Sequence, residues 1–265
     1  MKVSLIIEAR TQSTRLPEKI LKYCYKRTTF LEYLVKRLKN LDFIDNIIIA
    51  TTNNIKDKKI VEIGKKLNVD YYIGSEHNVL ERVLKAAKKF NTELIIRVTS
   101  DCPLIDLDII SQAYKVYLNN KVDYVSTGFV KSYPLGMDVE IFSYKTLKKS
   151  YKHAKDKASK EFITFTIRRH PNIFKHINLI SPKSLNYPNL GLTLDYFEDL
   201  LLLKKIIKHF WNGNYNCIDI INFLKKNNKI AKINATVKRT KYNYNLNNPN
   251  NKNVIVKTYK NEKKR

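Results

Sequence analysis

The chain has 265 residues and carries 50 lysines and arginines against 24 aspartates and glutamates, a formal net charge of +26. Its 43% hydrophobic content and 17 tyrosines exclude a globally disordered chain, and its length suits one sizeable core. The three cysteines are widely spaced, which excludes a disulfide framework and a zinc signature. No apolar run approaches the ~20 residues that cross a bilayer, and the N-terminus does not resemble a secretory signal. We therefore expect a soluble, cytoplasmic protein without a membrane partner.

Short apolar runs alternate with helical periodicity in the first half of the chain, which predicts an α/β fold with a mostly parallel, Rossmann-like sheet flanked by helices. Helical stripes begin near Phe30, Ile60, Val79 and Leu107. Thr29 and Glu32 form a predicted capping box, and Asp106 a predicted N-cap. Strands are predicted at 3–8, 46–52, 69–74, 93–101 and 123–127.

The alternation weakens over 128–187, which we interpret as an inserted α+β segment that carries the second substrate or a subunit contact. A strand is predicted at 190–194, and Asp195 is expected to open a helix that ends near Phe210. The chain turns basic and asparagine-rich after 226. We therefore predict one α/β domain over 1–226 and a loosely attached tail over 227–265, dispensable for chemistry.

The loop after the first strand concentrates cations among hydroxyls, in the stretch "IIEARTQSTRLPEKIL" from Ile6 to Leu21. Arg10, Arg15 and Lys19 would lie at the carboxyl end of a parallel strand, where anions bind in open α/β sheets. The stretch matches neither a P-loop nor a G-x-G-x-x-G loop. Solvated surface cations remain the alternative, and the scattered lysines elsewhere favour that interpretation for most of the positive charge.

Two aspartates are candidate metal ligands. Asp101 ends the strand "IIRVTSD", and Asp195 lies in "LTLDYFEDL". Mg²⁺ prefers one or two carboxylates together with phosphate oxygens. The alternatives are a turn aspartate before Pro103 and, for Asp195 with Glu198, a helix cap with a capping box.

Together these segments resemble the cytidylyltransferases that activate acidic sugars, including the KDO and acylneuraminate enzymes, and most closely the spore-coat polysaccharide type. "EARTQSTRLPEKIL" resembles their A-R-x-x-S-x-R-L-P-x-K loop. Four later motifs follow in the family's order over roughly 2–206: "GSEHNVLERV", "RVTSDCPLID", "YPLGMDVEIF" and "LTLDYFEDL". The resemblance implies the nucleotide-diphospho-sugar transferase fold and transfer of CMP from CTP to an acidic sugar, with release of pyrophosphate. It also implies that the enzyme is a homodimer and acts in polysaccharide biosynthesis.

The resemblance also implies residue roles. The catalytic set is Arg10, Lys19, Asp101 and Asp195, of which Asp101 and Asp195 would bind Mg²⁺. The nucleotide would contact Arg10, Ser13, Arg15, Lys19, Ser75, Arg82, Arg97 and Thr99. The acceptor would contact Tyr133, Gly136, Asp138, Glu140 and Glu161.

Three positions depart from the family pattern. Glu18 stands where the loop often has glycine, Glu8 where glutamine is common, and Phe162 where members of this type often have histidine. The last departure concerns the acceptor pocket more than the nucleotide site.

Two other functions are compatible with the sequence. Cytidylyl transfer to a phosphorylated alcohol or a phosphonate would require extra cations near Lys131 and Lys145. A non-catalytic, basic nucleic-acid-binding protein would show salt-sensitive binding to any polyanion. The chain has no aromatic-basic RNA motif and no helix-turn-helix signature, so we expect no nucleic-acid partner.

Overall fold

In the computed structural model, which describes residues 1–239 and 254–258, an eight-stranded mixed sheet forms the centre of the molecule. The strands are β1 (Val3–Glu8), β2 (Tyr23–Tyr25), β3 (Thr28–Thr29), β4 (Asn46–Thr52), β5 (Asp70–Gly74), β6 (Leu94–Thr99), β7 (Tyr124–Ser126), β8 (Glu140–Ser143), β9 (His176–Ile180) and β10 (Val254–Thr258). Strands β2 and β3 form a separate antiparallel pair. The main sheet has the order β10-β9-β7-β8-β6-β1-β4-β5, in which β8 runs antiparallel to both neighbours and the other pairs are parallel.

Helices cover both faces of this sheet. They are α1 (Phe30–Leu38), α2 (Lys58–Lys66), α3 (Val79–Lys89), α4 (Leu107–Leu118), α5 (Tyr144–His153), α6 (Lys157–Glu161), α7 (Phe165–Arg169), α8 (Phe197–His209), α9 (Cys217–Lys226) and α10 (Asn228–Ala231). Side chains of β1 alternate between the two faces of the sheet, so Leu5 and Ile7 pack in one apolar cluster and Ile6 packs in the other. Burial on both faces explains why β1 is a continuous apolar run.

The predicted fold class is confirmed. Strands β1 and β4 have the predicted bounds. The predicted capping box is also present, because the Thr29 amide donates to Glu32 Oε2 at 2.7 Å and the Glu32 amide donates to Thr29 Oγ1 at 3.2 Å. Asp106 caps α4 by accepting from the Asp108 amide at 2.8 Å.

The segment before α8 differs from the expectation. Residues 190–194 form no strand, because their amides bond to loops: Leu192 donates to the Leu135 carbonyl at 2.7 Å, and Leu194 to the Asp101 carbonyl at 2.8 Å. Asp195 does not cap the helix either, so that prediction is wrong. The N-cap position is Tyr196, one residue later. The Asp199 carboxylate, in the first turn of the helix, accepts from the Asp195 and Tyr196 amides at 3.1 and 3.0 Å.

Residues that follow α9 pack against the core, so the prediction of a loosely attached tail is wrong for 228–239. Asn234 is buried and donates to the Gly191 carbonyl at 2.9 Å and to Asp199 Oδ1 at 2.7 Å. Arg239 forms an ion pair with the same carboxylate. Strand β10 also lies within the predicted tail, beside β9. Residues 240–253 and 259–265 lie outside the described part of the chain.

The predicted inserted segment, 128–187, contains two strands and three helices. Strand β8 lies between β7 and β6 in the main sheet, so the segment is built into the central core. Its predicted contribution to the acceptor site or to a subunit contact stays a prediction. Within the described residues, no helix combines the length and the apolar character needed to cross a membrane.

Asn234→Ala should destabilise the protein, because Asp199 is fully buried and loses a hydrogen-bond donor to its charged carboxylate. Hydrogen bonds to charged groups contribute about 1.5–3 kcal/mol, and we expect a loss of that order in the free energy of unfolding, measured in urea. Lys238→Ala, at an exposed neighbouring position, is the control. Equal urea midpoints for the two variants would contradict a role of the post-226 segment in holding Asp199.

Candidate active site

The loop that follows β1 is tied to the neighbouring strand by a buried aspartate. The Thr11 amide and hydroxyl both donate to Asp57 Oδ1, at 2.8 and 2.6 Å. The Thr52 hydroxyl, at the end of β4, donates to the other oxygen of Asp57. The first loop is therefore fixed over the carboxyl edge of the sheet. Sequence reasoning missed Asp57, because nothing local links it to Thr11.

Glu18 occupies the left-handed region of the backbone, with φ of 52°. This conformation costs an ordinary L-residue about 1–2 kcal/mol, and glycine adopts it readily. The geometry therefore explains why glycine suits this loop position. Here the Glu18 amide donates to the Thr11 carbonyl at 3.0 Å, which closes the loop without glycine. A 3₁₀ turn, Lys19–Leu21, begins at the next residue.

Lys19 lies between the two predicted metal ligands. Its Nζ donates to Asp101 Oδ2 at 2.7 Å and to Asp195 Oδ1 at 2.9 Å. The guanidinium of Arg15 donates to the same Asp195 oxygen at 2.6 Å. The side chain of Lys19 is 11% exposed, whereas that of Arg15 is 49% exposed. The structure thus brings together four residues that the sequence placed in one site.

The charges in this cluster stabilise one another. Burial of the Lys19 ammonium acts to lower its pKa, but the charges of Asp101 and Asp195 outweigh burial and raise the pKa above the ordinary lysine value. Burial likewise acts to raise the pKa of Asp101, and the charge and hydrogen bond of Lys19 lower it overall. Lys19 and Asp101 are therefore both charged at neutral pH.

Backbone hydrogen bonds bring the two aspartates together. The Asp101 carbonyl accepts from the Leu194 amide at 2.8 Å and from the Thr193 hydroxyl at 3.2 Å. These bonds hold the residues before Asp195 against the end of β6. Because α8 begins just after Asp195, the Asp199 cap fixes this turn from its other side.

The pair of carboxylates fits a magnesium ion. Asp101 and Asp195 both accept hydrogen bonds from one ammonium, so their oxygens already converge on a single positive charge. No group of three or more His, Cys, Asp or Glu side chains in the described residues is arranged to hold a metal. Mg²⁺ commonly uses one or two carboxylates and completes its shell with phosphate oxygens and water. A site of this composition would gain its remaining ligands from a bound nucleotide.

Two predicted nucleotide residues, Arg82 and Ser75, hold the loop between β5 and α3. Arg82, on α3, is buried and donates to the Ser75 carbonyl at 2.5 Å. The Ser75 hydroxyl accepts from the Asn78 amide at 3.0 Å. Gly74 allows this packing, because a Cβ there would lie 2.9 Å from Arg82 Cγ. Arg82 therefore shapes the 74–78 loop from inside the protein.

A cavity of about 560 Å³ opens between the first loop, the 74–78 loop and α6. That volume is typical of small-molecule sites. Arg10 and Glu161, predicted for the nucleotide and the acceptor, both line it, together with His77, Lys157 and Lys160. Ser13, in the first loop, is not among the residues that line this cavity, and its Oγ accepts from the Leu16 amide at 3.4 Å.

Arg97 and Glu140 pair with each other. The Arg97 guanidinium contacts Glu8 on one side and Glu140 on the other. Glu140 also accepts from the hydroxyls of Tyr124 and Thr164, and Arg97 with these donors lowers the pKa of Glu140 to about 2 against the effect of burial. Both side chains thus brace β1, β6 and β8, and direct contact with nucleotide or acceptor stays a prediction. Glu8, in place of glutamine, supplies a counter-charge to Arg97.

The remaining predicted acceptor residues lie on the turn before β8. Gly136 has φ of 104°, and a Cβ there would lie 2.7 Å from the Leu192 carbonyl oxygen. Asp138 is half-buried two residues later, and Tyr133 is buried. Thr99, at the end of β6, has its hydroxyl 3.2 Å from Cys102 Sγ.

A family model described as Cytidylyltransferase matches residues 4–244. The chain belongs to the cytidylyltransferase family. As a member of that family it is a nucleotidyltransferase, as the sequence predicts.

Three curated relatives are similar to this chain in sequence. The cytidylyltransferase is 39% identical over 242 residues to an uncharacterized protein of Methanocaldococcus jannaschii, with 91% of this chain and 98% of the relative covered. It is 29% identical over 209 residues to the spore coat polysaccharide biosynthesis protein SpsF of Bacillus subtilis, covering 77% and 85%. It is 25% identical over 122 residues to a 3-deoxy-manno-octulosonate cytidylyltransferase of Chloroherpeton thalassium, covering 45% and 48%.

A solved structure matches almost the whole cytidylyltransferase. The protein described as a cytidylyltransferase from Leptospira borgpetersenii serovar Hardjo-bovis superposes with a TM-score of 0.83 at 33% identity. The match covers 92% of this chain and 100% of that one. The fold and the family are therefore supported by sequence and structure together.

Lys19→Met should weaken CTP binding and leave CMP binding nearly unchanged, because CMP lacks the β- and γ-phosphates that the ammonium would contact. A charge-assisted hydrogen bond contributes about 1.5–3 kcal/mol, which corresponds to a roughly ten- to hundred-fold loss for CTP. Calorimetric titration with each nucleotide measures it. Lys56→Met, at an exposed position, is the matched control. Equal losses for CTP and CMP would indicate a collapsed loop and would contradict the triphosphate assignment.

Proposed function

We propose that this cytidylyltransferase transfers CMP from CTP to an acidic sugar, a nonulosonate or KDO-like acid, and releases pyrophosphate in surface polysaccharide or glycan biosynthesis. The observation that carries the proposal is the convergence of Arg15, Lys19, Asp101 and Asp195 at the carboxyl edge of the sheet. The names of two relatives, a spore coat polysaccharide protein and a 3-deoxy-manno-octulosonate cytidylyltransferase, support the acceptor class.

The cations of the first loop would hold the triphosphate. Arg10 and Arg15 can each form bidentate hydrogen bonds to phosphate, whereas Lys19 acts as a compact point charge. In the ligand-free protein, Lys19 and Arg15 have carboxylate partners. A bound triphosphate offers both cations new partners, so the aspartates would become available at the moment the nucleotide binds.

Asp101 and Asp195 would hold Mg²⁺, which when bound supplies positive charge next to phosphate oxygens. The acceptor oxygen would attack the α-phosphorus in line, and pyrophosphate would leave toward the cations of the first loop. The residues of this chain contribute mainly position and fixed charge. Both effects are strong in a site whose dipoles are set before the reaction.

The cavity beside the first loop favours negatively charged ligands. Its wall carries three positive side chains, from Arg10, Lys157 and Lys160, and two negative side chains, from Glu76 and Glu161. A nucleotide and an acidic sugar both carry anionic groups that such a wall attracts. This excess of positive charge is the second observation in favour of an acidic acceptor.

Asp101→Asn and Asp195→Asn should each lower turnover at least a hundred-fold while the fold survives, because each change removes one charge and keeps the side-chain shape. Losing one preorganised electrostatic group typically costs 10²–10³ in rate. The assay is pyrophosphate release with each of the four nucleoside triphosphates and Mg²⁺, against a panel of acidic sugars and phospho-alcohols. Asp108→Asn, exposed on α4, is the control.

The wild type should release pyrophosphate from CTP only when an acidic sugar is present. Release with phospho-alcohols alone would replace the proposed acceptor class. Near-normal turnover of both aspartate variants would remove their proposed role.

A further inference from the structure

Asp138 lies on a turn that is fixed against the segment leading to Asp195. The Leu135 amide donates to the Leu190 carbonyl at 2.9 Å, and the Leu192 amide donates back to the Leu135 carbonyl at 2.7 Å. Gly136 allows this close approach, because a Cβ at that position would meet the backbone of Leu192. The turn before β8 is thus held beside the candidate metal ligands by backbone contacts.

Three carboxylates lie close enough to the buried thiol of Cys102 to affect its pKa. Cys102, next to Asp101, is 4% exposed. Burial is the largest cause of its raised pKa, and the negative charges of Asp101, Asp138 and Asp195 each raise the pKa further. The Asp138 carboxylate therefore lies within electrostatic reach of the same point as both proposed metal ligands.

Of the two carboxylates in this segment, Asp138 and Glu140, Asp138 is the one whose oxygens can accept a hydrogen bond from a substrate. No side chain among the described residues donates a hydrogen bond to it, and the Gly136 amide is its backbone partner. Glu140, two residues later, is occupied by Arg97, Tyr124 and Thr164. The other side of the Asp138 carboxylate packs on Gly128, where a Cβ would collide with it.

The surroundings of Asp138 raise its pKa toward neutral pH. Burial and the nearby charge of Glu140 raise the pKa of Asp138, whereas the Gly136 amide, Arg168 and Arg97 lower it, and the result is about 6. A general base works best when its proton affinity lies near the operating pH. Asp101 is poorly suited to that role, since Lys19 lowers its pKa.

We propose that Asp138 is the general base of the transfer and accepts the proton of the attacking acceptor hydroxyl. As the hydroxyl oxygen bonds to the α-phosphorus, its O–H bond breaks and the proton passes to Asp138. The bond between the α-phosphorus and the bridging oxygen of pyrophosphate breaks in the same displacement, and Asp138 later returns the proton to water. This inference rests on the proposed function.

The inference also narrows the acceptor class. A phosphate or phosphonate acceptor attacks through an oxygen that carries no proton at neutral pH, so it needs no base. Such an acceptor would also bring negative charge toward Asp138 and Glu140, which like charges disfavour. A neutral hydroxyl fits the turn, and the acidic group of the sugar would lie elsewhere, toward the cations of the cavity.

Asp138→Asn should lower kcat by about 10²–10⁴, the usual contribution of general base catalysis. Wild-type kcat should fall as the pH drops through about 6, because the base is then protonated. The variant should lack this acidic limb. CTP affinity by calorimetry should stay within about three-fold, which separates the proton-transfer role from a structural one. Asp138→Glu should recover part of the rate and of the pH dependence.

A variant Asp138→Asn with near-normal kcat and the wild-type acidic limb would overturn the inference. So would a wild type that turns over only phosphate acceptors. A wild type that binds CTP yet releases no pyrophosphate with any acceptor overturns the proposed function instead. In that case an NMR titration of the Asp138 carboxyl still measures its pKa. A midpoint near 6 supports the base, and one near the ordinary aspartate value of about 4 overturns it.

Discussion

The ammonium of Lys19, shared between Asp101 and Asp195, is the interaction on which the rest of the site depends. Two carboxylates this close together repel each other, and in a partly buried place neither is well solvated. Lys19 removes both problems at once with hydrogen bonds of 2.7 and 2.9 Å. Arg15, which also pairs with Asp195, adds a second cation, so two positive charges offset the two carboxylates before any substrate binds.

This balance depends on backbone architecture from several parts of the chain. Strands β1 and β6 pair in parallel, with Glu8 opposite Thr99, so the first loop and Asp101 leave the sheet side by side. Ligands of open α/β sheets bind at such carboxyl ends. Asp195 joins them because the Asp101 carbonyl holds the residue before it and Asp199 caps the helix after it. Asn234 stabilises that cap from beyond α9.

Local signals in the sequence predicted most of the sheet. Strands β1 and β4 are continuous apolar runs, and α1 carries its capping box within four residues, so each could be assigned without distant partners. The α/β class follows from this alternation. The segment 190–194 is equally apolar, yet its amides bond to Leu135 and Asp101 and not to a strand. Apolar runs alone do not distinguish these outcomes.

The site was predictable where the family motifs run, and less so where distant residues act. The family resemblance predicts that Lys19, Asp101 and Asp195 share one site, and the structure brings them together. Asp57, which fixes the first loop through Thr11, has no motif and no local partner in the sequence. The engagement of Arg97 by two glutamates also depends on strand neighbours far apart in the chain.

The proposed function implies that, in the ligand-free protein, Lys19 occupies the position that a metal ion would take between Asp101 and Asp195. Titration with Mn²⁺ alone, followed by electron paramagnetic resonance in wild type and Lys19→Met, tests it most directly. Because the variant leaves two carboxylates without their cation, it should bind Mn²⁺ at least about ten-fold more tightly than wild type, a difference of about 1.4 kcal/mol. Equal Mn²⁺ affinities for the two proteins would contradict the claim.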